Sequence, residues 1–280
     1  MNASAAPPTD RRTAVVTGAS SGIGAATARV LADAGFRVVL GARRVERCEQ
    51  IAAEIDGTAL ALDVTAQDSV DAFAAAVGPV SVLVNNAGGA RGTATVAEAD
   101  LDDWRWMWET NVLGTVRMVK ALLPALVRSG DGLVVTVTST AALEVYDNGS
   151  GYTSAKHAQA VAHRTLRGEL LGQPVRFTEV CPGMVETEFS VVRFAGDATA
   201  AAKVYEGLTP LTAMDIAEVI GFAATRAAHV NLDQIVVRPR DQASSMRVRR
   251  SRRGLTGRTC SATATTALPS RRCPHRRARA

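Results

Sequence analysis

The sequence predicts an α/β fold: one doubly wound domain whose mostly parallel, seven-stranded sheet is covered by helices on both faces. Three observations carry this. Short apolar, β-branched runs alternate with stretches of helical period from residue 13 to residue 245. A glycine-punctuated turn joins the first of these runs to the first helix. No repeat of roughly 20–50 residues and no composition break marks a second domain.

The elements follow in order. Thr13 to Val16 read as a buried parallel strand, ended by Thr17 and Gly18. Gly18, Gly22 and Gly24 then lead into an amphipathic helix through Ala25, Ala28, Leu31 and Ala32. Such a turn lets backbone N–H groups approach a pyrophosphate, and the helix N-terminus favours the negative charge. The spacing is G-x-x-x-G-x-G, not the general G-x-G-x-x-G fingerprint. A turn that serves packing alone would carry the same glycines. The second strand, Val38 to Leu40, runs into Ala42, Arg43 and Arg44. An acidic residue there would hold a ribose 2′-hydroxyl; two guanidiniums suit a 2′-phosphate instead, or a solvated helix start. Further strand cores are Ala59–Leu62, Val82–Val84, Leu133–Val137, Val175–Val180 and Ile235–Val237. Leu113 to Val127 forms a long amphipathic helix that contains Pro124 and stops at Gly130-Asp131-Gly132.

Six motifs in this order resemble the short-chain dehydrogenase/reductase family over residues 13 to 245. They are TGASSGIG, VNNAGG, TNVLG, VTSTA, YTSAK and CPGMVETEF. The resemblance implies a Rossmann domain, a homo-oligomer (tetramer or dimer) and NADP(H) as cofactor, since Ala42 stands where the family usually has Asp and Arg43 follows it. It implies a cofactor site of Gly18, Ser20, Ser21, Gly22, Ile23, Gly24, Arg43, Arg44, Asp63, Val64, Asn86, Ala87, Gly88, Tyr152, Lys156, Pro182, Gly183, Val185 and Thr187. Asp63 would contact adenine, although an Asp at a strand end is also an ordinary turn residue. The implied catalytic set is Asn111, Ser139, Tyr152 and Lys156, with Asn111 holding a water in a proton relay and Lys156 bonding the nicotinamide ribose. The wording of residues 186–194 and of the HVNLDQIVVRPRDQAS segment is similar to a subgroup of NADP-dependent dehydrogenases acting on 3-hydroxy acids such as serine and allo-threonine. That subgroup also includes broader carbonyl reductases.

The chemistry follows from protons. A hydride leaving an alcohol carbon requires the hydroxyl proton to leave as well, and a hydride reaching a carbonyl requires a proton donor. A free phenol, with a pKa of about 10, is a poor base at neutral pH, and a nearby cation lowers that value. Four residues of helix put Lys156 on the face of Tyr152, so the lysine is expected to tune the phenol for acid–base work. Ser139, just past a strand's carboxyl end, can hold and polarise a substrate oxygen. Taken singly, Tyr152, Ser139 and Asn111 read as readily as core, cap or turn residues. Arg193 is the one cation in the apolar run Phe189 to Phe194. It is a candidate for a substrate carboxylate, or alternatively faces solvent or an acid such as Glu188.

Composition narrows the alternatives. Four cysteines without regular spacing argue against a disulfide scaffold or a zinc site, and place the chain in a reducing, cytoplasmic compartment. His157 and His163, six apart, do not share a metal-binding face. Trp104, Trp106 and Trp108 cannot all share one helix face, and read as oligomer or core residues ahead of any substrate role. The first twelve residues read as a flexible arm, with no secretory leader. No stretch reaches the roughly 18 apolar residues of a membrane helix, so no membrane partner is expected. The net charge of +5 comes from the end of the chain. Residues 246–280 hold 11 of the 32 basic residues and none of the 27 acidic ones, leaving the rest at −6. That Arg-rich segment is expected to be disordered and foreign to the fold, of the kind a shifted reading frame yields. A basic arm with non-specific affinity for nucleic acid is the other reading. It keeps open a second function class, a cofactor-binding regulatory or nucleic-acid-binding protein on the same fold.

Overall fold

A computed structural model describes residues 11–251. Seven strands form one sheet in the order β3-β2-β1-β4-β5-β6-β7, and every neighbouring pair is parallel. They are β1 (Thr13–Thr17), β2 (Arg37–Ala42), β3 (Thr58–Ala61), β4 (Val82–Asn85), β5 (Gly132–Val137), β6 (Val175–Pro182) and β7 (Gln234–Val237). The expected α/β architecture is the observed one, with each expected strand core inside an observed strand or, for Leu62, one residue past its end.

The central strands are buried on both faces, which is why they read as continuous apolar runs. Side chains alternate between two cores. Ala14 and Val16 of β1 face one, with Leu31 of α1 (Gly22–Asp33) and Ile216 and Ile220 of α9 (Ala213–Ala224). Val15 faces the other, with Phe73 of α3 (Gln67–Val77) and Met118, Leu122 and Leu126 of α5 (Gly114–Arg128). Each such fully buried Leu, Ile, Val or Phe contributes about 1.5–3 kcal/mol. The remaining helices are α2 (Val45–Ile55), α4 (Leu101–Trp108), α6 (Ser150–Glu169), α7 (Glu188–Arg193) and α8 (Ala198–Tyr205). Sequence order reverses between β1 and β4, so a crevice opens there beyond the strands' carboxyl ends.

The helix expected from Leu113 begins earlier. α4, a π-helical turn at Glu109–Leu113 and α5 form one run from Leu101 to Arg128. Its start is set by Asp100, whose side chain accepts the Asp102 N–H at 2.8 Å. By length and mean hydropathy this run is similar to a membrane span, although Arg117 and Lys120 interrupt its apolar residues. Half of its apolar window is buried inside the fold, where Met118, Leu122 and Leu126 pack under the sheet.

The chain end also departs from its expected outline. Residues 241–250 fold into a tight antiparallel turn: the Ala243 N–H donates to the Arg247 carbonyl at 2.9 Å, and the Arg249 N–H to the Asp241 carbonyl at 2.8 Å. Arg247 and Arg249, assigned to the Arg-rich tail by composition, are therefore hydrogen-bonded to the domain. Residues 252–280 of that tail, and residues 1–10 of the N-terminal arm, lie outside the described residues.

Candidate active site

The crevice is a cleft of about 860 Å³. All the residues expected to meet cofactor or substrate line it, except Gly24 and Asn111, which stand behind its wall.

One side is an anion cradle. Gly18 and Gly22 have φ of +65° and +54°, open to glycine at little cost. A Cβ on Gly24 would lie 2.5 Å from the Gly18 carbonyl oxygen, so a side chain there would push helix and turn apart. α1 begins with no side-chain cap and no acid in its first turn, which leaves its N–H groups facing the cleft. Thr17 fastens this turn to the end of β4 by accepting the N–H groups of Asn86 at 3.0 Å and Ala87 at 2.9 Å. Beside the turn, the Arg44 guanidinium donates to Ser20 Oγ (3.2 and 3.3 Å) and Ser21 Oγ (2.9 Å). This donor set fits a dinucleotide with a 2′-phosphate. Asp63 lines the cleft and also caps its own turn, accepting the Thr65 N–H at 2.9 Å and hydroxyl at 2.7 Å. Burial works to raise its carboxyl, yet the Thr65 bonds and nearby Arg43 outweigh this and lower it.

The other side brings Ser139, Tyr152 and Lys156 together. Ser139 caps the short 3-10 turn after β5, its Oγ accepting the Ala141 N–H at 3.1 Å. Tyr152 sits in the first turn of α6, and its ring meets Phe189 of α7 at 5.5 Å between centroids. Lys156 Nζ stands 5.8 Å from the centre of the Tyr152 ring. The expected lowering of the phenol is not what this arrangement gives. Burial pushes Tyr152 up, Tyr146 adds to it, and the hydrogen bond with Ser139 and the charge of Arg193 only partly oppose it. Lys156 is itself buried, which lowers its amine to about 7. Its ammonium donates to the Val137 carbonyl at 3.2 Å and to Gln159 Oε1 at 2.8 Å.

Behind the wall a chain of hydrogen bonds runs from lysine to asparagine. Gln159 Nε2 donates to Thr115 Oγ1 at 2.8 Å, and Thr115 Oγ1 to the Asn111 carbonyl at 2.8 Å. The Asn111 side chain, expected to hold a relay water, is engaged with backbone: Nδ2 donates to the Gly89 and Met107 carbonyls at 2.9 and 2.7 Å, and Oδ1 accepts the Gly89 N–H at 3.2 Å. Asn111 thus pins the Gly88-Gly89 loop to the π-helical turn, a deformation that occurs often at functional sites.

Arg193 lines the cleft from α7. It donates to the Tyr146 hydroxyl at 3.2 Å and to the carbonyls of Gly92 and Asn148 at 3.3 and 3.4 Å. Among the described residues no carboxylate pairs with it. Glu188, the acid suggested for it, instead accepts Arg44 at 2.9 Å and Arg47 at 2.8 Å.

Composition and spacing missed several wall residues. Trp106, assigned to core or oligomer contacts, lines the cleft under the Arg91 guanidinium, 4.2 Å from its ring. Trp104 packs near Tyr152, and Trp108 is half exposed. Tyr146 and Gln242 also face the cleft, and Gln159 holds the lysine from behind; Tyr146 and Gln159 sit in no motif that could have signalled them, whereas Gln242 belongs to the HVNLDQIVVRPRDQAS segment, which carries only a subgroup resemblance.

Residues 12–197 match a family model described as short chain dehydrogenase. An uncharacterized oxidoreductase of Mycobacterium tuberculosis is 66% identical over 239 residues, covering 85% of this chain and 95% of that protein. An NADP-dependent 3-hydroxy acid dehydrogenase of Schizosaccharomyces pombe is 41% identical over 252 residues, covering 86% of this chain and 97% of its own length. A solved closed form of serine dehydrogenase complexed with NADP+ superposes with a TM-score of 0.81 at 33% identity, over 85% of this chain and 100% of that one.

Proposed function

The chain belongs to the short-chain dehydrogenase family, and from that premise we propose that it is an NADP(H)-dependent oxidoreductase acting on a small alcohol or carbonyl that carries an acid group. One observation supports this above all: the uncapped α1 cradle, the Arg44 cluster and the Ser139–Tyr152–Lys156 group share one cleft. The NADP named with the serine dehydrogenase structure and the 3-hydroxy acid relative points the same way.

The glycine turn and the start of α1 would hold the pyrophosphate, Arg43 and Arg44 the 2′-phosphate, and Asp63 and Val64 the adenine. Asn86 to Gly88, Tyr152, Lys156 and the Pro182–Thr187 stretch would hold the nicotinamide half. When bound, NADP(H) supplies or accepts the hydride. The protein supplies the rest. Ser139 donates a hydrogen bond to the substrate oxygen. Tyr152 gives that oxygen a proton in reduction, and burial keeps the phenol protonated for this step. In oxidation Tyr152 must first stand as the phenolate, which a charged Lys156 stabilises, and it becomes the neutral phenol on accepting the substrate's proton. With its amine lowered to about 7, Lys156 changes charge in the neutral range and biases the direction of proton transfer. Gln159 and Thr115 hold the lysine in place from below.

The experiment is NADPH and NADH oxidation against a panel of aldehydes, ketones and 3-oxo acids, with Tyr152→Phe as control. Turnover with NADPH on at least one acid-bearing carbonyl is expected, falling by at least about 100-fold in the variant while NADPH binding survives. No turnover with any member of the panel, or turnover unaffected by Tyr152→Phe, overturns the reading.

A further inference from the structure

Arg44 carries more than a cofactor phosphate would require. Four of its hydrogen bonds run in two directions: three to the hydroxyls of Ser20 and Ser21 in the cradle, and one to the Glu188 carboxylate on α7. Glu188 divides its two oxygens between two cations, Oε2 to Arg44 and Oε1 to Arg47 of α2. Burial raises its carboxyl, but the hydrogen bond from Arg47, the largest influence, and those from Arg44 hold it below the ordinary glutamate value, so it is charged at neutral pH. The segment is also seated on the cradle. The Thr187 side chain lies 3.3 Å from where a Cβ of Gly22 would be. α7 then carries Phe189 against the Tyr152 ring and Arg193 over the Tyr146 ring. A single carboxylate thus ties the wall over the substrate end to the cation at the opposite end of the cleft.

Two anions cannot both take the front of one guanidinium without repulsion. We propose that Glu188 is a latch exchanged for the 2′-phosphate: the phosphate displaces its carboxylate from Arg44, and the α7 segment is thereby released to move over the substrate. This rests on the NADP(H) reading of the cleft. Arg47 retains the other carboxylate oxygen, so the segment is loosened and not cast off. A cofactor without the phosphate leaves both pairs in place. Discrimination between the two cofactors would then be expressed at the substrate end as well as in affinity.

The test uses fragments instead of turnover. Calorimetry measures 2′,5′-ADP, which carries the phosphate, and 5′-AMP, which lacks it, against the parent protein and Glu188→Gln. Removing a half-exposed competing charge is expected to tighten 2′,5′-ADP by about three- to tenfold and leave 5′-AMP within about twofold. A parent that does not distinguish the fragments overturns the cofactor reading and the latch with it. A parent that distinguishes them, with 2′,5′-ADP binding unchanged or weakened in Glu188→Gln, overturns the latch alone. Hydrogen exchange supplies a second readout on the parent: amides of residues 188–205 should exchange faster with 2′,5′-ADP than with 5′-AMP. Equal exchange with both overturns the coupling.

Discussion

Arg193 illustrates how a single side chain can be placed by its partners. Its guanidinium is held by one phenol hydroxyl and two backbone carbonyls, all neutral acceptors, over the Tyr146 ring. Such a cation is oriented without being neutralised, the condition for recognising an anionic group that arrives from outside. It also lies near enough to Tyr152 to oppose the upward push of burial on that phenol. Arg193→Ala is expected to raise KM for 3-hydroxy acids by about tenfold or more while leaving kcat nearly unchanged, and to spare neutral alcohols. Steady-state kinetics on matched acid and neutral substrates checks this. An equal loss on both, or on neither, removes Arg193 as the acid's partner.

At the scale of elements, the short helices α7 and α8 form a wall fastened from two directions. Ser190 and Tyr205 join them through a 2.7 Å hydrogen bond, and Tyr205 also donates to the Val185 carbonyl at 2.8 Å. At the far end of α8, Arg250 donates to the Glu206 and Val204 carbonyls at 2.5 and 3.0 Å. A cation at a helix C-terminus satisfies carbonyls that have no partner within the helix and complements the dipole. The turn that carries Arg250 is itself tied back, since the Ser245 N–H donates to Glu144 and Gln242 accepts the Met184 N–H at 2.9 Å. Deleting residues 252–280 is expected to leave the melting temperature within about 1 °C. Deleting residues 246–280 removes Arg250 and the turn, and should lower it by at least about 2–4 °C while raising KM, as the two Arg250 bonds and the bonds within the turn are lost. Calorimetric scans and kinetics of the two truncations decide it; identical behaviour would show that the turn does not support α8.

For the whole molecule, His163 ties stability to pH. It lies buried in α6 with Nδ1 2.9 Å from Thr136 Oγ1, its ring edge-on to Phe177, and Nε2 without a hydrogen-bond partner among the described residues. Burial lowers it to about 4, against the pull of Glu179 and Asp233 in the other direction; Arg164 and Arg167 add to the lowering. The unfolded chain takes up a proton near pH 6.5 and the folded one only near 4. Stability from this group is therefore complete above about pH 6.5 and is lost as pH falls through 4, amounting to about 3 kcal/mol. Burial raises the Glu179 carboxyl, but its bonds from Gln234, Thr138 and Arg164 hold it below the ordinary glutamate value. Its own loss of stability therefore falls at lower pH. Denaturant unfolding from pH 7 to 4 should decline in the parent and flatten over that range in His163→Gln. Parallel profiles would assign the decline to other groups.

Much of this was written locally. Continuous apolar runs marked the buried strands because parallel strands covered on both faces admit little else. The glycine turn, Arg44, Ser139, Tyr152 and Lys156 were legible because each depends on spacing within one strand, turn or helix. Contacts between elements had no such signature. The long helix hid its first three turns, since Trp104 packs against Gly151, nearly fifty positions on, and Trp106 against Gly89 and Arg91, and not along one apolar stripe. Glu188 gave no hint that its partners lie about 140 residues earlier, nor Arg250 that it would hold α8, because a charge in sequence carries no information about which opposite surface folding brings to it. The direction of the Tyr152 shift was likewise decided by the tertiary structure. Sequence spacing placed a cation beside the phenol, but only folding set how deeply both were buried and how far apart they stood, and desolvation of the phenol outweighs the Ser139 hydrogen bond and the Arg193 charge that oppose it.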